Sequence, residues 1–106
     1  MNENNKNSDN LKSGLEQALM FLKQADDLIA IAPKNEFSHF LKSYALLFVF
    51  LAESQTIGSE QSYKRIDESL KEIDIAIALN PNNKMFHYYK GHMLFILKKY
   101  EEALKE

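Results

Sequence analysis

The two prolines of this chain mark an internal repeat, which restricts the possible folds more than any other feature. Pro33 and Pro81 are 48 residues apart, and a shift by this distance also aligns residues on both sides of them. The aligned pairs are Leu22 and Leu70, Lys23 and Lys71, Asp26 and Asp74, Ile29 and Ile77, Ala30 and Ala78, His39 and His87, Lys42 and Lys90, Ser43 and Gly91, and Leu46 and Leu94. We therefore expect two copies of one local structure, each built around a proline.

The residues before each proline have the spacing of a helix. In the first copy, apolar residues recur at helical period at Leu15, Leu19, Leu22, Ala25, Leu28 and Ile29. Because proline has no amide hydrogen and disfavours helix at the residue before it, Pro33 and Pro81 end these helices. The chain has only 3 glycines, and its apolar residues are mainly Leu, Ile, Phe and Ala. This composition favours helices over strands, so the sequence predicts an all-α fold.

The first ten residues differ in composition from the rest. Residues 1–10 are polar and rich in asparagine, with too little apolar surface to offset the entropy of ordering. They predict a disordered polar leader, and residues 11–106 predict one helical domain. Ser13 and Glu16 have the spacing of a capping box, in which each side chain bonds the backbone amide of the other residue. The first helix is therefore predicted to begin there.

The remaining turn residues predict three further helices and a short fifth one. Asn35, and either Asn82 or Asn83, can cap the helices that follow the prolines. Gly58 lies in the predicted break between the second and third helices. These helices are predicted from Glu36 to Ser54, Glu60 to Leu79 and Lys84 to Leu97, with the fifth starting at Tyr100 after a turn at Lys98 and Lys99.

The stretch from Pro81 onward resembles a tetratricopeptide repeat, a helical hairpin of about 34 residues. Residues at the spacing of that motif are His87, Lys90, Gly91 and Leu94, with Ala103 at the small position of the second helix. The resemblance implies antiparallel helical hairpins with a truncated final repeat, and Gly91 and Ala103 meeting where two helices cross closely. His87 stands where the family has Trp, and Leu94 where it has Tyr. The 48-residue period is longer than the family's, with the excess between Val49 and Ile66.

In that family, the first helix of each hairpin lines a groove that binds a peptide. The matching groove positions here are Phe37, Phe40, Tyr44, Leu47 and Phe48 in one hairpin, and Met85, Tyr88, His92, Phe95 and Ile96 in the next. These residues are mainly apolar, and an apolar patch on a protein surface usually marks an interface. The second predicted helix is also apolar nearly all round from Tyr44 onward, so Leu47, Phe48 and Phe50 equally fit packing in the core.

The resemblance implies a non-catalytic protein-interaction module that binds an apolar or amphipathic segment of a partner. The alternative is a self-assembly element, in which the same aromatic face meets a second copy in a homodimer. The family's carboxylate clamp for chaperone tails requires Lys and Asn, whereas Phe40 and Tyr44 occupy the matching positions. Chaperone tails are therefore not expected as ligands.

Charge and residue chemistry argue against other functions. The net charge is −2 and the 13 basic residues are scattered among 15 acidic ones, whereas a nucleic-acid surface needs clustered basic residues. The chain has no cysteine, and its three histidines, His39, His87 and His92, lack the spacing of a zinc site. We expect packed, hydrogen-bonded histidines, no metal or cofactor, and no catalytic residues, since no nucleophile–base set is evident.

The sequence also bears on the location of the protein. The polar N-terminal residues give no apolar segment for a signal peptide. The longest apolar run, from Tyr44 to Ala52, is much shorter than the roughly 20 residues that cross a bilayer. The sequence therefore predicts a soluble cytoplasmic protein without a membrane span.

Overall fold

The computed structural model describes the backbone of residues 3–56 and 59–105, with side chains for residues 10, 12–54 and 63–102. These residues form four α-helices and no strand: α1 (Glu3–Ile31), α2 (Glu36–Thr56), α3 (Ser59–Leu79) and α4 (Lys84–Lys105). The predicted all-α fold is confirmed. Pro33 and Pro81 follow the ends of α1 and α3, as their missing amide hydrogens predict.

The α2 helix is at the centre of the packing. It packs most extensively against α3, then against α1, while α4 packs on α3 and contacts α2 through aromatic side chains. The largest fully buried side chains come from α2, α3 and α4; among them are Leu46, Phe50, Ile66, Ile73, Phe86 and Met93. One apolar core therefore holds these three helices together, and α1 covers a further side of α2.

The turns after α1 and α3 have the same hydrogen bonds. Asn35 Oδ1 accepts a bond of 2.8 Å from the amide of Phe37, and Asn83 Oδ1 accepts one of 2.9 Å from the amide of Met85. Each asparagine thus caps the helix that follows it. The predicted cap at Asn35 is confirmed, and of the two candidates in the second turn Asn83 is the cap.

Side chains near each turn repeat with the same 48-residue shift. Ring Nε2 of His39 donates to the carbonyl oxygen of Pro33 at 2.7 Å, and ring Nε2 of His87 donates to that of Pro81 at 2.8 Å. Two ion pairs also correspond: Lys42–Asp26 at 2.9 Å and Lys90–Asp74 at 2.7 Å. The sequence repeat is therefore a structural one, with α1–turn–α2 matching α3–turn–α4.

The predicted start of the first helix is wrong. The α1 helix begins at Glu3, so Ser13 and Glu16 lie inside it, and its backbone includes residues 3–10 that were expected in a disordered leader. No proline or glycine occurs between Glu3 and Ser13 to interrupt a helix. Once a helix is nucleated, each added residue gains a backbone hydrogen bond, so the polar stretch extends it.

The predicted fifth helix is also wrong. The α4 helix continues through Lys98 and Lys99 to Lys105, because lysine is a good helix former and no helix-breaking residue follows Gly91. Gly91 and Ala103 therefore lie on one helix, about 18 Å apart along its axis at 1.5 Å per residue. They do not meet at a helix crossing, and a Cβ atom at Gly91 would meet nothing within 4 Å among the described atoms.

The close contact between helices lies instead at Ser43 of α2 and Ser69 of α3. The Ser43 hydroxyl donates to the Ser69 carbonyl oxygen at 2.8 Å, and the Ser69 hydroxyl donates to the Ser43 carbonyl oxygen at 2.6 Å. Both serines are fully buried. Small side chains at both positions let the two backbones approach closely enough for these reciprocal bonds.

Candidate interaction surface

The ten predicted groove residues fall into two groups on different helices. Phe37, Phe40, Tyr44, Leu47 and Phe48 lie on α2, whereas Met85, Tyr88, His92, Phe95 and Ile96 lie on α4. Each residue of the first group is followed 48 positions later by one of the second group. The surroundings of the two groups nevertheless differ, because α2 is covered by other helices on more sides than α4.

The α2 group belongs to a continuous row of rings that joins α1, α2 and α4. We call this the aromatic row; its members in spatial order are Phe21, Phe48, Tyr44, Tyr89, Phe40, Phe86 and Phe37. Ring centroids are 4.7 Å apart for Tyr44 and Phe48, and 5.2 Å apart for Phe40 and Tyr89. These distances are those of favourable aromatic pairs, so the row stabilises the packing of three helices.

Only part of the aromatic row is accessible. Phe86 is fully buried, and Phe40 is partly buried with its ring stacked on Phe86 at 5.3 Å. Phe37, Tyr44 and Phe48 keep exposed edges. The row therefore serves mainly to pack the helices, and it adds a strip of ring edges to the surface.

Leu47 is not accessible to a partner. Its side chain is only 8% exposed and belongs to the apolar core, as does fully buried Phe50. The sequence left core packing open for Leu47, Phe48 and Phe50, and of these only Phe48 is exposed. Because α2 has helices on several sides, its apolar positions could not be assigned to core or surface from their spacing alone.

The predicted residues on α4 are the most exposed apolar part of the site. We call Met85, Tyr88, His92 and Phe95 the outer face of α4. Tyr88 is 79% exposed and Phe95 is 56% exposed. The ammonium group of Lys99 lies over the Phe95 ring, 5.0 Å from its centre, and forms a cation–π contact with the last residue of the outer face.

The outer face is exposed because α4 has no helix against it within the described residues. Phe40, which matches Tyr88, packs on α4 through Phe86 and Tyr89. Leu47, which matches Phe95, is buried in the core that includes α4 residues. The same positions therefore hold a helix on α2 and meet solvent on α4.

A polar cluster fixes α1, α2 and α3 near the first turn. His39 Nδ1 lies 2.8 Å from Glu72 Oε2, and Lys42 Nζ lies 2.9 Å from Asp26 and 3.8 Å from Glu72. The hydrogen bond that the Lys42 ammonium donates to the Asp26 carboxylate is the main cause that raises the pKa of Lys42, against an opposing effect of burial. Both ring nitrogens of His39 lie against oxygen atoms, Nδ1 against the Glu72 carboxylate and Nε2 against the Pro33 carbonyl.

Tyr89 has an unusual environment within the aromatic row. Its hydroxyl is buried and makes no hydrogen bond to a described residue. Burial raises the pKa of Tyr89 to about 12, and the nearby hydroxyls of Ser43 and Ser69 oppose that rise without reaching hydrogen-bond geometry. The Tyr89 hydroxyl therefore contributes no hydrogen bond to the stability of the described fold.

An open groove lies between α1 and α2. No feature of the sequence pattern predicted this groove. Its volume is about 440 Å³, and its lining residues are Gly14, Gln17, Ala18, Phe21, Phe48, Leu51 and Ala52. Gly14 and Ala18 are one turn apart on α1, and their small side chains leave the space open. Phe48 also belongs to the aromatic row, so the groove continues one end of that row.

In the described part of the chain, no three His, Asp or Glu side chains lie together as metal ligands. Of the three histidines, His39 and His87 are held by hydrogen bonds to backbone or carboxylate groups. No helix of the described ranges has the length and apolar character to cross a membrane. The cytoplasmic location stays a prediction.

Comparison with protein-family models, with curated protein sequences and with solved structures finds no match for this chain. The resemblance to tetratricopeptide repeats therefore rests on the sequence spacing quoted above.

Proposed function

We propose that this protein is a non-catalytic interaction module that binds an apolar or amphipathic segment of a partner protein. The binding surface is the outer face of α4 together with the exposed ring edges of Phe37 and Tyr44. The observation that carries this proposal is the 79% exposure of Tyr88 at a position whose repeat equivalent, Phe40, packs against a helix. A surface that recurs in the same chain as a helix-binding surface is suited to bind a helix.

The proposed architecture is a tetratricopeptide-like array of helical hairpins. It is supported by the repeated helix–turn–helix unit, in which α1–turn–α2 and α3–turn–α4 have matching caps and ion pairs. In such arrays each unit packs on its neighbours, so an apolar helix face without a neighbour is suited to pack against a further helix. The exposed apolar face of α4 is of this kind. Phe40 and Tyr44 offer no clamp for a chaperone tail, so that ligand remains unexpected.

Site-specific photocrosslinking in cells tests the proposal. A photoreactive phenylalanine analogue replaces Tyr88 in one variant and Asp67, an exposed residue of α3, in a matched control. We expect a discrete crosslinked product with another protein from position 88 and none from position 67. Equal products from both positions, or none from either, would contradict the proposal.

Self-assembly is the second candidate function, favoured because the exposed apolar residues of α4 lie on a single helix that could meet its own copy. Light scattering over a hundredfold concentration range measures the mass of the protein in solution. A dimer that Tyr88→Glu dissociates would favour self-assembly. A monomer at all concentrations would exclude it and leave partner binding as the function.

A further inference from the structure

The α2 helix shows what kind of helix fits against α4. Its side formed by His39, Ser43 and Leu46 faces α3: His39 bonds Glu72, Ser43 bonds Ser69, and Leu46 is fully buried. Residues spaced by four and three positions share one side of a helix. The shift of 48 residues places His87, Gly91 and Leu94 on the corresponding side of α4, which we call the His87 face.

The His87 face is open in this structure. His87 and Gly91 are exposed, and Leu94 is 46% exposed, whereas its equivalent Leu46 is fully buried. A Cβ atom at Gly91 would have no described atom within 4 Å. The face therefore has the residues of a helix-packing surface without a helix against it in the described ranges.

His87 is also held in the orientation that His39 uses. Nε2 of each ring bonds the carbonyl oxygen of the proline six residues earlier, at 2.7 Å for His39 and 2.8 Å for His87. On His39 this arrangement directs Nδ1 to the Glu72 carboxylate at 2.8 Å. On His87 no described residue bonds Nδ1, so that nitrogen is open to an acceptor from outside.

We propose that the His87 face binds an amphipathic helix of another protein that carries a small residue opposite Gly91 and a glutamate three residues later. The small residue takes the place of Ser69, and the glutamate takes the place of Glu72 and bonds His87. Because α2 and α3 run antiparallel, with His39 at Glu72 and Ser43 at Ser69, an apolar residue at the position of buried Ile66 covers Leu94. The inference rests on the proposed function, because it specifies the helix that binds beside the outer face of α4.

A second copy of this chain does not present that pattern. In each copy Ser69 of α3 is already buried against α2. The repeat equivalents on α1 are Phe21 and Gln24, a bulky and an uncharged residue. Ser13 and Glu16 of α1 have the spacing, but polar Asn10 stands where α3 has Ile66. Ala103 and Glu106 also have the spacing, but Tyr100, at the position of Ile66, already packs on Phe50 of its own chain. The charge and size requirements therefore favour a different protein.

A fluorescent peptide with the sequence of α3, residues 59–79, is the probe for this inference. A lactam bridge between Lys64 and Glu68, which are exposed and four residues apart, constrains it as a helix. Fluorescence anisotropy measures its binding to the full chain. We expect saturable binding, weakened about tenfold by Glu72→Gln in the peptide, because a charge-assisted hydrogen bond becomes a neutral one.

Matched glycine variants of the full chain locate the binding site. Gly91→Leu places a bulky side chain where the small residue must approach, and binding should be lost while the thermal midpoint stays equal or rises. Gly14→Leu is the control, because Gly14 is also an exposed helical glycine with no described atom within 4 Å of an added Cβ. It should bind the peptide as the unmodified chain does.

Four outcomes would overturn the inference. Absence of binding, or equal binding to the Gly91→Leu chain, would show that the His87 face is not the site. Equal binding of the Glu72→Gln peptide would remove the role of the glutamate. Self-association that Gly91→Leu abolishes would make a second copy the occupant. If the crosslink from position 88 persists in the Gly91→Leu chain, the proposed function stands and only this inference fails.

Discussion

At the scale of single residues, Ser43 and Ser69 set the separation of α2 and α3. Their reciprocal hydrogen bonds require the two backbones to lie close together, which only small side chains allow. The resemblance assigned a close crossing to Gly91 and Ala103, which is wrong because both lie on α4. A small residue therefore indicates where a helix can approach, not whether one does.

Tyr89 gives a prediction at this scale. The pKa of Tyr89 is raised from 10.0 to about 12, so an unfolded chain loses this proton at lower pH than the folded chain. The free energy of unfolding is therefore unaffected by this ionisation below pH 10, and it falls as the pH rises from 10 toward 12, because the unfolded chain ionises first. We expect Tyr89→Phe to remove about 1 kcal/mol of this alkaline loss, after allowance for solvent screening.

Urea denaturation at pH 7 and at pH 11 measures that difference. At pH 7, Tyr89→Phe should be neutral or slightly stabilising, because it removes a buried hydroxyl without a partner. Tyr88→Phe is the matched control, since Tyr88 is 79% exposed on the same helix. An equal effect of both substitutions on the alkaline loss would contradict the assigned role of burial.

At the scale of elements, helix ends follow from local chemistry and helix lengths do not. The caps at Asn35 and Asn83 and the stops before Pro33 and Pro81 involve residues within a few positions of one another. The sequence could therefore identify them. The α1 helix extends to Glu3 and α4 extends to Lys105 because no proline or glycine interrupts them there. The absence of a helix-breaking residue is harder to interpret in a sequence than the presence of a capping residue.

The asparagine caps give a prediction for elements. Asn83→Ala removes the bond that its side chain accepts from the amide of Met85, and we expect a loss of about 1 kcal/mol in the free energy of unfolding. Asn35→Ala should give a loss of similar size in the first turn. Asn82→Ala is the control in the same turn. Chemical denaturation checks this, and a larger loss for Asn82→Ala than for Asn83→Ala would refute the cap assignment.

At the scale of the whole molecule, the two copies of the repeat are equal in local structure and unequal in surroundings. Leu46 and Phe40 of α2 are buried or half-buried, whereas their equivalents Leu94 and Tyr88 on α4 are exposed. The difference arises because α2 has helices on several sides, and α4 is covered only on the side toward α2 and α3 in the described structure. The candidate binding surface is a consequence of this asymmetry.

The histidines provide the prediction at this scale. His39 joins α2 to the turn and to Glu72 of α3, and it is only 8% exposed. His39→Ala should therefore cost about 2–3 kcal/mol of stability, because a buried charge-assisted bond is lost. His87→Ala should cost about 0.5 kcal/mol or less, since His87 is exposed and bonds only its own turn among the described residues. Thermal and chemical denaturation measure both losses of stability, and equal losses for His39→Ala and His87→Ala would contradict the prediction.

The binding residues show the limit of inference from the sequence most directly. Of the positions that the resemblance assigns to the groove, Phe37, Tyr44, Met85, Tyr88 and Phe95 are exposed. The resemblance could not separate them from Leu47, which lies in the core, or from Phe40, whose ring stacks on Phe86. All of these positions look alike along the chain, and only the presence of α4 against α2 distinguishes them.

The sequence by itself determined the helical class, the two repeated turns, the capping residues and the ends of α1 and α3. These features arise from interactions between residues close in the chain, so their chemistry is visible in the order of residues. Only the tertiary structure decided that Ser43 meets Ser69, that Phe40 supports the core, and that Gly91 and Tyr88 remain open. Each of these depends on which helix lies alongside, and the residues that meet there are far apart in the sequence.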